Sequence, residues 1–232
     1  MESGNNTGRL VTMYLLICAT ELEAGPLRAL LQGKAGVELL ISGAGPIETT
    51  LTLCKFLART DKTISAIVNC GIAGAYPDTG VGLLDICLAR REKMGDFGIC
   101  TGNTISAFDD PAMTSQTDFN LDNSLLACAR QILNQEGISY HTGVFVTVNC
   151  ASGAGQRGEF LRHTHQAICE NMEGAALARV CMEFNLPLLE VRCVSNIVID
   201  RDRSKWKLAE AVQKNAEITG LLLTALLSRQ SF

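Results

Sequence analysis

Apolar residues arrive along this chain in short runs, separated by longer stretches in which they recur every three or four positions. The runs at 10–18, 37–42, 64–70, 83–89, 143–148, 167–169 and 188–195 predict strands. The 3.6-residue spacing predicts helices over 23–31, 46–58, 122–135, 172–184 and 206–227. Most of the strand runs are β-branched and nearly continuous, which marks strands buried on both faces. Their alternation with helices predicts an α/β, three-layer domain with a largely parallel sheet, spanning residues 1–232 as a single unit. Residues 90–120 carry the weakest periodicity and read as a long loop with short elements, a place for a lid or an oligomer contact.

Composition narrows the function classes. With 47% hydrophobic and only 19% charged residues, the chain can bury a substantial core, so global disorder is excluded. A net charge of −4 and 5% aromatics give neither the electrostatic footprint nor the stacking surface that nucleic acid requires. The ten cysteines are spread evenly, several of them inside apolar runs, with no C-x-x-C pair. They read as reduced thiols acting as small hydrophobes in a cytoplasmic protein. The apolar runs near the two ends are too short to span a bilayer, so no membrane segment is expected.

In open α/β sheets the ligand lies beyond the carboxyl ends of the strands. The residues there are Glu21 and Glu23 after the first run, Gly43-Ala44-Gly45 after the second and Gly71-Ile72-Ala73-Gly74-Ala75 after the third. Later come Asn149, then Glu170-Asn171-Met172-Glu173, then Asn196. The glycines at 43, 45, 71 and 74 serve either tight turns or close backbone approach to a ligand. They form neither a dinucleotide fingerprint nor a Walker loop, so no di- or triphosphate cradle exists. Glu173 opens an apolar helix that Asn171 can cap. It is either a helix-dipole partner or a carboxylate for the two hydroxyls of a ribose. Glu23 is either a surface carboxylate or a general base for water. Asn196 caps a turn or hydrogen-bonds a heterocycle edge. His163-x-His165 lacks a third ligand and reads as an exposed polar turn, so no metal is expected. No G-x-S-x-G elbow is present. The basic segment 201–207 reads as a solvated helix start capped by Ser204, or as cationic donors for an anionic substrate group.

Three motifs, Asn69-Cys70-Gly71-Ile72-Ala73-Gly74, Asn171-Met172-Glu173-Gly174-Ala175-Ala176 and Arg192-Cys193-Val194-Ser195-Asn196, resemble the nucleoside phosphorylase and nucleosidase superfamily in order and spacing over residues 10–227. Within it, Glu170 through Ala176, and Ser195-Asn196 followed by Arg201-Asp202-Arg203 and Trp206, look most like the futalosine hydrolases. The resemblance implies a phosphorylase/hydrolase-like fold with a central mixed, largely parallel sheet flanked by helices. It implies hydrolysis of the N-glycosidic bond of futalosine, which releases hypoxanthine and belongs to menaquinone biosynthesis. No cofactor is implied, and a homodimer or larger homo-oligomer is.

Residue by residue, Glu23 falls where methylthioadenosine nucleosidases activate water, and Met172 and Glu173 fall where they hold the ribose. Asn196 stands where those enzymes use an aspartate to protonate N7. An amide cannot deliver that proton, but it can donate to N7 or to a carbonyl O6, which fits a 6-oxopurine. The superfamily's phosphorylases carry a Gly-Asp-Pro-x-Arg type turn for phosphate; here Cys18-Ala19-Thr20-Glu21-Leu22-Glu23 brings two acids and no arginine, favouring water as nucleophile. Gly74 would approach the nucleoside, and Arg201 or Arg203, with Trp206 as an apolar wall, would bind the benzoate of futalosine. A methylthioadenosine/S-adenosylhomocysteine nucleosidase is the nearest alternative, and a non-catalytic purine-nucleoside binder a more remote one.

Overall fold

The computed structural model describes residues 12–102, 104–113 and 115–230; the start of the first expected strand, at 10–11, and the polar residues before it lie outside them. Ten strands occur in the described residues: β1 (Thr12–Cys18), β2 (Val37–Ile41), β3 (Thr63–Ala75), β4 (Ile86–Met94), β5 (Ile99–Thr101), β6 (Thr104–Ser106), β7 (Asp118–Asn120), β8 (His141–Thr147), β9 (Ala167–Asn171) and β10 (Leu188–Ile197). Six α-helices accompany them: α1 (Glu21–Leu31), α2 (Pro46–Arg59), α3 (Ser124–Gln135), α4 (Gly155–His165), α5 (Gly174–Glu183) and α6 (Leu208–Gln230).

The central sheet is mixed. Pairs β1–β2, β1–β3, β3–β10, β4–β8 and β8–β9 run parallel, while β4–β10, β3–β9 and β4–β7 run antiparallel. Because β3 pairs with both β10 and β9, the order β3–β10–β4–β8–β9 closes into a ring, with β1 and β2 extending from β3. Side-chain alternation along the strands divides the apolar residues between layers. Tyr14, Leu16 and Cys18 face α1, α3 and α6, whereas Leu15 and Ile17 face α2 and α5. A third cluster seats Leu161 of α4 against Val144 and Val146 of β8. No described helix is long and apolar enough to cross a membrane.

Four expectations are corrected. Residues 71–75 are not a turn after the third strand but its continuation. The glycines there pair with β10 (Gly71 opposite Arg192, Gly74 opposite Asn196), which also places Asn196 within a strand instead of after one. Residues 90–94, expected as loop, prolong β4. Their charges alternate, so Arg91 and Lys93 reach Asp118 of β7 on one side while Glu92 turns inward. The segment around His163-x-His165 is not an exposed turn but the last turn of α4, whose small apolar face the periodicity does not register. Finally, α6 begins at Leu208, so Ser204 caps nothing there; it lies in a 3-10 turn whose cap is Asp202.

The ten cysteines form no disulfide, and Cys18, Cys70, Cys87, Cys169, Cys181 and Cys193 are buried. Burial pushes the Cys181 and Cys193 thiols up to about 12, which leaves them un-ionised and makes poor nucleophiles of them.

Candidate active site

A cavity of about 260 Å³ opens where α1, β3, β9, α5 and β10 meet, and six of the seven site residues read from the sequence line it: Glu23, Gly74, Met172, Glu173, Asn196 and Arg201. Arg203 does not. It projects from the 3-10 turn on the exposed surface, and Trp206 takes the place beside Arg201.

Glu23 is 6% exposed because it closes the N-terminus of α1. Thr20 and Glu23 form a reciprocal capping box, so Glu23 Oε2 accepts from the amides of Ala19 (3.2 Å) and Thr20 (3.0 Å) and from Thr20 Oγ1 (2.9 Å). Among the described residues the other oxygen, Oε1, accepts from Ile72 N alone, at 3.2 Å, and keeps capacity for a further partner. Glu23 is therefore not a surface carboxylate: one oxygen closes the helix cap and the other faces the cavity. Neighbouring Glu21 turns outward into an exposed ion pair with Arg28.

Gly71 makes this approach possible. A Cβ there would collide with Glu23 Oε1 and lie 2.9 Å from Arg192 Nη1. If Oε1 is a reacting group, Gly71→Ala is expected to lower kcat about 10²-fold, the scale of an ångström-size misplacement. Steady-state kinetics beside a melting curve check this, and a wild-type rate would remove Oε1 as the working atom.

Glu173 is not in the first turn of α5 but is its N-cap residue, also 6% exposed. Asn171 does the capping, its Oδ1 accepting from the amides of Glu173 (2.9 Å) and Gly174 (2.7 Å). Glu173 Oε1 accepts from Gly45 N at 3.1 Å and Oε2 from Arg192 Nη2 at 3.3 Å. That reach depends on the Gly43-Ala44-Gly45 turn, where φ is +82° at Gly43 and +87° at Gly45, values that favour glycine.

Asn196 stands across Gly74 from Glu170, both pairing with that glycine. Ser195 Oγ donates to Asn196 Oδ1 at 2.9 Å, which leaves the amide Nδ2 to point its hydrogens elsewhere. Glu170 accepts from Ser152 N (2.7 Å), Ser152 Oγ (2.6 Å) and Tyr76 Oη (3.1 Å). Arg201 stacks its guanidinium 4.7 Å above the Trp206 ring. A second cavity of about 130 Å³ continues from the first past Asn196, Arg201 and Trp206 toward Lys205 and Asp202.

Sequence reasoning missed the group beneath the cavity. Arg192 is 2% exposed and bonds Glu190, Glu173, Asn171 and the carbonyl of Ile72. Glu92 and Glu190 are fully buried. One signal was available: Glu190 and Arg192 sit two apart in the otherwise apolar stretch 188–194, which places opposite charges on one buried face. Among the described residues no cluster of His, Cys, Asp and Glu has the form of a metal site.

The sequence model of the phosphorylase superfamily matches residues 15–228. The futalosine hydrolase of Thermus thermophilus is 29% identical over 222 residues, covering 91% of this chain and 95% of that protein. The 5'-methylthioadenosine/S-adenosylhomocysteine nucleosidase of Geobacillus thermodenitrificans is also 29% identical, over 208 residues, covering 84% and 82%. Among solved structures, the native futalosine hydrolase of Helicobacter pylori superposes with a TM-score of 0.81 at 21% identity, covering 92% of this chain and 98% of that one, which establishes the shared fold.

Proposed function

Since the chain belongs to the phosphorylase superfamily, we propose that it is a purine-nucleoside N-glycosidase using water, with futalosine as its substrate and hypoxanthine as the released base. The observation that carries this reading is Asn196 in the cavity wall, with Oδ1 held by Ser195 and Nδ2 left to donate, and the purine is assigned to that wall. A donor that cannot deliver a proton suits a carbonyl oxygen at position 6 of the purine better than an amino group. Relatives of both substrate types match the chain at 29% identity, so similarity alone does not choose between them.

In the proposed reaction the C1'–N9 bond lengthens first and positive charge develops on the ribose. Glu173 accepts hydrogen bonds from the ribose hydroxyls, and its charge favours the cationic transition state over the neutral substrate. Water on the opposite face gives its proton to Glu23 Oε1 as its oxygen bonds to C1'. The departing base leaves on the Asn196 amide and takes its proton from solvent. Phosphate is disfavoured as the nucleophile, because Glu23 and Glu173 face that space and Arg192 is already committed to Glu190 and Glu173. Hypoxanthine release from futalosine, assayed with and without phosphate beside adenine release from methylthioadenosine, tests all of this. A phosphate requirement would overturn hydrolysis, faster adenine release would transfer the assignment to the other nucleosidase, and nucleoside binding without base release would leave only a binder.

We also propose that the continuation past Arg201 takes the benzoate of futalosine, the carboxylate on the guanidinium and the ring along Trp206. A charge-assisted hydrogen bond contributes about 1.5–3 kcal/mol, so Arg201→Ala should lower kcat/KM for futalosine by about ten- to a hundredfold relative to inosine, which lacks the benzoate. Equal losses on both nucleosides would remove Arg201 from that role.

A further inference from the structure

Glu92 on β4 and Glu190 on β10 are both fully buried, and neither touches the cavity. Glu92 Oε1 accepts from Asn171 Nδ2 and Oε2 from Thr147 Oγ1 at 2.8 Å. Glu190 Oε1 accepts from Asn69 Nδ2 and Arg192 Nε, each at 2.9 Å. Glu190 Oε2, by contrast, has no N–H or O–H donor among the described residues. What faces it is Glu92. A Cβ built on Gly174 would lie 2.6 Å from Glu190 Oε2 and closer still to Glu92 Oε1, so the two oxygens confront each other across the space this glycine leaves. A buried acceptor without a donor is costly, and so is a pair of buried anions in contact. One proton placed between the two oxygens removes both penalties.

We propose that Glu92 and Glu190 share a single proton as a carboxylic acid–carboxylate pair, and that this pair is the positioning element for Arg192 and Asn171 beneath the site. The connections form a closed circuit. The first amides of α5, from Glu173 and Gly174, end on Asn171 Oδ1, and that of Ala175 ends on Thr147 Oγ1 at 2.7 Å. Asn171 and Thr147 both donate to Glu92, Glu92 meets Glu190, Glu190 holds Arg192, and Arg192 returns to Glu173 at the start of the same helix. With the proton in place, Arg192 faces two anions, Glu190 and Glu173. Without it a third anion enters the circuit, and the charges that orient Glu173 are unbalanced.

Burial, and then the facing Glu190, push the Glu92 carboxyl well above its ordinary value. Burial raises Glu190 as well, against the pull of Arg192. The other groups facing the pair are Glu173 at the N-cap of α5, Cys181 from α5, Cys169 from β9 and, through Arg192, Glu23 from α1. Among the described residues facing the pair Arg192 is the one cation, so no other charge there offsets a second negative one.

The sign follows from linkage. A carboxyl whose pKa is raised on folding binds a proton the unfolded chain has already released. Its contribution to stability is complete below the ordinary glutamate range and is lost as pH rises toward the folded pKa. The test is equilibrium unfolding of the full chain, without substrate, for wild type, Glu92→Gln and Glu190→Gln between pH 5.5 and 9. Glutamine at 92 mimics the protonated acid and does not titrate. The ratio of unfolding constants, wild type over Glu92→Gln, is expected to rise about tenfold per pH unit until the pair ionises. A ratio that stays constant across this range overturns the shared proton. This arm needs no substrate, so it stands or falls apart from the nucleosidase reading.

The positioning half does rest on that reading. Wild-type kcat is expected to fall on the alkaline side with the midpoint of the unfolding titration. Glu92→Gln should lack that fall. Glu190→Gln, which frees Arg192, should lose tenfold or more in kcat with KM moved less. An alkaline fall unchanged in Glu92→Gln, or an unchanged kcat in Glu190→Gln, overturns the positioning role.

Discussion

Replacing Glu23 by glutamine is expected to cut kcat by about 10²–10⁴-fold, the worth of a positioned general base, while KM and the melting temperature change little. The fold survives because the capping box needs an acceptor and not a charge. The glutamine carbonyl can take the amides of Ala19 and Thr20 that Oε2 now accepts, while its NH2 group on the cavity side gives up one hydrogen bond, the one from Ile72 N. That group cannot receive a proton from water. Steady-state kinetics on futalosine, with a thermal melt of the same preparation, separate the two effects. A kcat within a fewfold of wild type would take Glu23 out of the chemistry and leave it a helix cap.

The largest effect on stability is expected at Arg192. Its guanidinium is the partner of two buried carboxylates, Glu190 Oε1 at 2.9 Å and Glu173 Oε2 at 3.3 Å. Arg192→Met keeps the bulk and removes the charge. Breaking one side of a buried pair costs about 3–5 kcal/mol, because the remaining carboxylate is left uncompensated. In a chain of this size that corresponds to a fall in melting temperature of about 6–20 °C. The deficit should shrink as pH falls, because an abandoned carboxylate is neutralised by protonation. A deficit equal at pH 5 and pH 8 would mean that packing, and not charge, is what Arg192 supplies. Turnover should fall too, since Glu173 loses one of its two anchors.

Much of the layering was legible because the signals that carry it are local. Continuous apolar runs such as 64–70 and 188–195 bury both faces wherever they are placed. Asn171, read as the cap of the helix after it, accepts from amides two and three positions on. The errors share one cause. Residues 71–75 read as a turn because two glycines lack strand propensity, yet β9 and β10 flank them and provide the ladder partners. Residues 90–94 read as loop because they are charged, yet pleat alternation sends Arg91 and Lys93 to Asp118 and Glu92 inward. Helix α4 was missed because its glycines and charges hide the few apolar positions that seat it on β8 and β9.

For the site, the sequence by itself determined which side chains are available and their chemistry: two carboxylates, an amide, two arginines near a tryptophan in the chain, and glycines at strand ends. It also determined, through the resemblance its motifs carry, the superfamily to which the chain belongs. Only the tertiary structure decided the rest. It turned Arg203 outward, brought Arg201 over Trp206, divided Glu23 into a capping oxygen and one with capacity toward the cavity, and set Glu92 against Glu190. The reason is distance along the chain. Asn69, Glu92, Asn171 and Glu190 come from four strands, and no local pattern announces that a closing ring will bring them into one buried circuit. Propensity and periodicity act over a few residues; the balance of buried charge is settled by what the fold places opposite.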